Sequence, residues 1–108
     1  MSIQVQLEKF VEKVNNNPEH IQEEKDRVFQ IDLKDNLSLQ IILKDGKVEV
    51  VQGTIAEPEV TLTMSDKSFE KLLNDDLNTT MAFMTGNLKV NGSVGLALKL
   101  QDIVKRYQ

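Results

Sequence analysis

The chain has 108 residues, 40% of them hydrophobic and 28% charged, with thirteen basic against seventeen acidic side chains and no cysteine. That length suits one domain, residues 1–108, with a single core, and the missing thiols exclude disulfide scaffolds, thiolate zinc sites and cysteine nucleophiles. A net charge of −4 without a basic stripe excludes a nucleic-acid surface, and no apolar run is long enough to be a membrane span.

Residues 2–16 read as a first helix. Ile3, Leu7, Phe10 and Val14 recur at helical spacing, with Val11 beside them. The segment "MSIQVQLEKF" has no basic start followed by an apolar core, so it is not a secretory signal, and a cytoplasmic location is expected. Asn17 is placed as a cap, with Pro18 and Glu19 opening a short second helix anchored by Ile21. The period then changes to two. Phe29, Ile31 and Leu33 alternate with polar residues, as do Leu37, Leu39, Ile41 and Leu43. Asp45-Gly46 is a two-residue hairpin signal, since both positions need positive φ. Val48 and Val50 continue the apolar face on the return strand. After the loop "GTIAEPE", Val60, Leu62 and Met64 alternate with Thr61 and Thr63. These four strands are expected to form an antiparallel meander, with Ser38, Gln40, Thr61 and Thr63 facing water on one side. The other side then needs helices.

Those helices follow. Ser65 caps "DKSFEKLLND", which presents Phe69, Leu72 and Leu73. Asp76 is expected to cap "LNTTMAFMT", where Leu77, Met81 and Met84 align and Phe83 projects elsewhere; Gly86 ends it. "LKV" is a short fifth strand. In the final helix Leu96, Leu100, Ile103, Val104 and Tyr107 share one face at about 100° per residue, with Tyr107 at a fraying end. Val94 and Leu98 point nearly opposite, in line with Gln101. This second apolar side is either wedged between sheet and helix or lines a space for an apolar guest. The pair of methionines around Phe83 would make an adaptable wall, although Met84 also fits as core filler.

Groups for covalent chemistry do not assemble. His20, the only histidine, sits among carboxylates on a short polar helix and reads as solvated surface. The carboxylates Asp35, Asp45, Asp66, Asp75 and Asp76 occupy turns and caps, and no metal-ligand spacing emerges. Gly92 and Gly95 fit neither phosphate-loop pattern; close packing of strand against helix explains both. The expectation is a protein that is not an enzyme and has no cofactor and no metal.

The stretch Gly86, Leu88, Lys89, Val90, Gly92, Gly95, Leu96, Ala97, Lys99 and Leu100, together with "EVTLTMSDKSFEKLL" and "LKDGKVEV", resembles the sterol carrier protein type 2 family of lipid-binding domains. The resemblance implies an α+β fold, with a five-stranded mainly antiparallel sheet covered on one face by helices. It implies that a fatty acid, acyl chain or similar apolar lipid is held between sheet and helices. Carried onto this chain, it assigns lipid contact to Met81, Phe83, Met84, Val94, Leu98 and Gln101, with Leu39 and Ile41 lining the space from the sheet. Gln101 would orient a polar head. A different reading of the same apolar surface is a docking module that takes a protein partner or forms a homodimer.

Overall fold

The computed structural model describes residues 3–34 and 38–107. In chain order the elements are α1 (Ile3–Asn16), a 3-10 turn (Pro18–His20), β1 (Arg27–Leu33), β2 (Ser38–Lys44), β3 (Lys47–Gln52), β4 (Val60–Met64), α2 (Asp66–Leu73), α3 (Thr79–Met84), β5 (Leu88–Gly92) and α4 (Val94–Arg106). The fold is α+β, as the sequence pattern implies. The expected turn residue Asp35 and the inward placement of Leu37 lie outside the described residues.

The sheet order is β3-β2-β1-β4-β5. β1–β2, β2–β3 and β4–β5 are antiparallel. β4 pairs with β1, and it does so in parallel, Phe29 opposite Val60 and Ile31 opposite Leu62. The meander expectation is therefore corrected at its fourth strand. Alternation says which side of a strand is buried but nothing about its neighbours. Asp45 and Gly46 both have positive φ, 53° and 74°, so the β2–β3 hairpin turns as its two residues demand.

The parallel pairing forces the path of the next loop. β3 and β4 run in the same direction, so segment 53–59 must travel back along the sheet before β4 can begin. At about 3.3–3.6 Å per residue it is long enough to do so. It lies on the face opposite the helices, over Gln40. That residue is fully buried, against the expectation that it faces solvent; Ser38, Thr61 and Thr63 are half-buried. Gln40 Nε2 donates to Gln30 Oε1 at 2.8 Å and to the Ala56 carbonyl at 2.7 Å. Its Oε1 accepts from the Ile55 and Ala56 amides at 3.1 and 3.0 Å. Thr54 Oγ1 donates to the same Gln30 oxygen. Every bonding site of the Gln40 amide is used, which is what burial of such a group requires.

On the other face the core runs under the helices. Phe29, Ile31, Ile41, Val60, Leu62 and Met64 rise from the strands to meet Val14, Phe69, Leu100 and Ile103. α1 lies beside β3, and α4 lies over β4 and β5. Ser65 caps α2 by accepting from the Ser68 amide at 3.1 Å. α3 is capped by Asn78, whose Oδ1 accepts from the Met81 amide at 3.0 Å, and not by Asp76. Asn17 makes no side-chain cap bond. Gly92 has φ +118°, and a Cβ there would come within 3.1 Å of the Glu59 carbonyl. The expected packing of strand against helix is corrected at both glycines: Gly92 packs against the start of β4, strand on strand, and an added Cβ at Gly95 would meet only the Ser93 hydroxyl.

Tyr107 is buried and not frayed. Its hydroxyl donates to the Asn17 carbonyl at 2.7 Å. Its ring meets Phe10 edge-on at 6.4 Å and His20 at 5.3 Å, so His20 is half-buried against an aromatic neighbour. The end of α4 is thereby fastened to the end of α1. Burial, the largest cause, raises the Tyr107 phenol above its ordinary value of 10.0. A phenol raised in the folded state lends stability that is complete below the unfolded value and is lost as pH rises through the folded one.

Gln40→Leu should cost about 2–3 kcal/mol in urea melts, because it strands the Ile55 and Ala56 amides and Gln30; a change below about 0.5 kcal/mol would mean that the loop is not held there. Tyr107→Phe should cost about 1 kcal/mol at neutral pH. Stability of the parent chain should fall above about pH 10, and this alkaline loss should be weaker in Tyr107→Phe, measured as melting temperature against pH.

Candidate functional site

Two apolar features stand out, at opposite edges of the sheet. The first is a face on α3 and α4. Met81, Phe83, Met84, Val94 and Leu98 are all exposed, by 37% to 75%. α3 explains why. Its buried residues are Thr79 and Ala82, three apart and so on one side of the helix. These small side chains turn toward the protein, and the two methionines and Phe83 are left outside. The expected inward stripe of Leu77, Met81 and Met84 does not form. Leu77 precedes the helix and is half-buried, while Met84, the candidate core filler, is the most exposed of the five.

α4 divides as its helical period predicts. Ala97, Leu100, Ile103 and Val104 are buried; Val94 and Leu98 point away. Gln101 Nε2 donates to the Leu77 carbonyl at 3.1 Å, so the amide ties α4 to the lead-in of α3. Lys99, the one charge in the apolar opening of α4, pairs with Glu24 at 3.1 Å. Five of the eight expected lipid contacts are thus exposed on α3 and α4, which pack against each other, and Gln101 links the two elements. The five lie on the outside of the helices. Ile41 is separate from them, fully buried in the core.

The second feature is a cleft of about 910 Å³ between α1 and the β2–β3 edge. Leu39 lines it, together with Ile3, Leu7, Val11, Val48 and Val50. Pockets of roughly 300–1,000 Å³ take small apolar ligands. Sequence reasoning did not find this space, because its walls come from separate elements. The available signal was the width of the α1 stripe: Ile3 and Val11 are apolar beyond what Leu7, Phe10 and Val14 need for the core. Asn15 holds the cleft at one end. Its Nδ2 donates to the Val48 carbonyl and its Oδ1 accepts from the Val48 amide, both at 3.0 Å.

Neither feature gathers groups for covalent chemistry. Among the described residues, no three His, Asp or Glu side chains converge as metal ligands. Nor is any helix among them long and apolar enough to cross a membrane.

Over residues 6–105 the sequence matches the SCP-2 sterol transfer family. The chain belongs to that family. It is 36% identical over 82 residues to peroxisomal multifunctional enzyme A of Dictyostelium discoideum, covering 72% of this chain and 19% of that protein. The chain spans about a tenth to a fifth of the length of the curated relatives it matches, some of which are multifunctional enzymes. Among solved structures it is similar to sterol carrier protein domain 2 of Helicoverpa armigera, at 27% identity and a TM-score of 0.76 over 94% of this chain and 84% of that one. Sterol carrier protein-2 of Aedes aegypti, solved in complex with palmitate, superposes over 100% of both chains with a TM-score of 0.73. At 20% identity that likeness is one of fold.

Because α3 turns its methionines to solvent, Met81→Ser and Met84→Ser should each shift stability by no more than about 0.5 kcal/mol in urea melts. A loss of 2 kcal/mol or more would place them in the core.

Proposed function

We propose that this protein is a cytoplasmic carrier that binds a fatty acid, acyl chain or similar single-chain lipid without covalent chemistry, and that the lipid chain lies against the α3–α4 face. One observation carries the site: five large apolar side chains are exposed together on two neighbouring helices, while the small side of α3 packs inward. Membership of the family supports the ligand class, as does the palmitate held by the Aedes aegypti protein of the same fold. Burial supplies the driving force. Each CH₂ removed from water contributes about 0.8 kcal/mol, so part of a long acyl chain suffices for micromolar affinity after ordering costs. Methionine gives such a face the freedom to fit chains of different length. Gln101 fixes the spacing of α3 and α4 through Leu77 and holds the polar end of this surface.

The exposure of the same five residues also favours a second reading, in which the face docks a protein partner or a second copy of the chain. Exposed apolar side chains, where they form a patch, are where soluble proteins associate.

The two sides of α4 separate these readings from a third in which the surface does nothing. Leu100→Ala, in the core, should cost about 2–5 kcal/mol in urea melts of delipidated protein. Leu98→Ala should cost about 1 kcal/mol or less. It should weaken binding of a fluorescent, uncharged acyl ester about tenfold, as ~1.4 kcal/mol of contact is lost. Unchanged ester affinity with lost self-association in Leu98→Ala would favour docking. Unchanged affinity and unchanged association would sink both.

A further inference from the structure

The chain has no cysteine and four methionines, so all of its sulfur is thioether. Met64 is fully buried, opposite Leu33 of β1 and Leu88 of β5. Met81 and Met84 are 56% and 75% exposed; Met1 lies outside the described residues. Met81 and Met84 are three residues apart on α3. At about 100° per residue their side of the helix lies nearly opposite the Thr79–Ala82 side that packs inward. The fold holds Met81 through its backbone: its amide donates to Asn78 Oδ1, and its carbonyl accepts from the Thr85 amide and hydroxyl. The thioethers of Met81 and Met84 are thus open to a reagent in solution, while that of Met64 is not.

We infer that Met81 and Met84 form an oxidant-responsive modification site, at which a hydroperoxide converts each thioether to a sulfoxide and switches off the apolar face of α3. The inference rests on the carrier reading above and supplies its regulation. In each step a sulfur lone pair attacks one oxygen of hydrogen peroxide. The S–O bond forms as the O–O bond breaks, and the proton of the transferred oxygen passes to the leaving oxygen. Sulfur is oxidised by two electrons and the peroxide ends as water. No cysteine competes for the oxidant. The product is a polar group in place of a flexible apolar one. On an exposed side chain the new oxygen stays hydrated and the fold is undisturbed. A lipid chain laid over it would strip that water without replacing its hydrogen bonds. At Met64 the same oxygen would meet apolar neighbours, but the folded chain denies the oxidant access there. Sulfoxide reductases return the thioether with two electrons from a dithiol and release of water, so the change is reversible.

The test treats the full, delipidated chain with dilute hydrogen peroxide. The readouts are peptide mass spectrometry, melting temperature and titration with the fluorescent, uncharged acyl ester. Met81 and Met84 should each gain one oxygen, roughly tenfold or more faster than Met64. The oxidised protein should melt within about 3 °C of the parent and bind the ester roughly tenfold more weakly. Methionine sulfoxide reductases with dithiothreitol should restore the affinity. In the double variant Met81→Leu, Met84→Leu, peroxide should leave the variant's own ester affinity unchanged, which removes Met1 as the cause. Met81→Gln combined with Met84→Gln should weaken binding without any oxidant. Oxidation of Met64 at the same rate, a collapse of the melting temperature, unchanged ester affinity once both sulfoxides have formed, or an equal loss in the double leucine variant would overturn the inference. Any of these with Leu98-dependent ester binding intact in untreated protein would leave the carrier reading standing. If the untreated protein binds no ester, both fall.

Discussion

The parallel pairing of β4 on β1 sets the layout of the whole molecule. It places β3 and β5 at opposite edges, so the helices that follow them in space are also divided, α1 toward β3 and α3 and α4 toward β5. It also sends segment 53–59 down the face that would otherwise be open. That segment carries backbone groups which must be bonded where they leave water, and Gln40 bonds them. One glutamine thus closes the face opposite the helices, and the two apolar features are kept a sheet's width apart.

Much of this was legible because hydrophobic period is a local property. The change from four-and-three spacing in α1 to alternation in β1 and β2, the Asp45-Gly46 turn, the Ser65 cap and the split of α4 into a Leu100 side and a Leu98 side each depend on a few neighbouring residues. What was not legible depends on partners far along the chain. Gln40 alternates like a solvated residue, and only the returning loop makes it internal. Tyr107 stands at the end of the last helix and looked frayed, yet Asn17 and Phe10, brought from the other end of the sequence, bury it. In α3 the error was one of phase. Leu77, Met81 and Met84 make a plausible stripe if the helix begins at Leu77, but the cap is Asn78 and not Asp76, so the helix begins two residues later, and Thr79 and Ala82 become the inner side.

The candidate lipid residues show the limit of carrying positions over from a family. Membership establishes the fold, while the role of a side chain depends on where this chain puts it. Leu39 and Ile41 are two residues apart on the same face of β2. Leu39 lines the cleft under α1, and Ile41 is sealed in the core. Met81, Phe83, Met84, Val94 and Leu98 are exposed on α3 and α4, outside the core.

Asn15 has a consequence for the other edge. Val48 opposes Leu43 next to the hairpin, and its free amide and carbonyl meet an amide side chain that presents a donor and an acceptor, as the next strand's peptide would. The β3 edge is therefore occupied at that point against pairing with another chain. The same two bonds set the height of α1 above the sheet. These directional bonds act beside the packing of Leu7, Phe10 and Val14 in the core. The space under α1 is accordingly bounded at that end by bonds of fixed length.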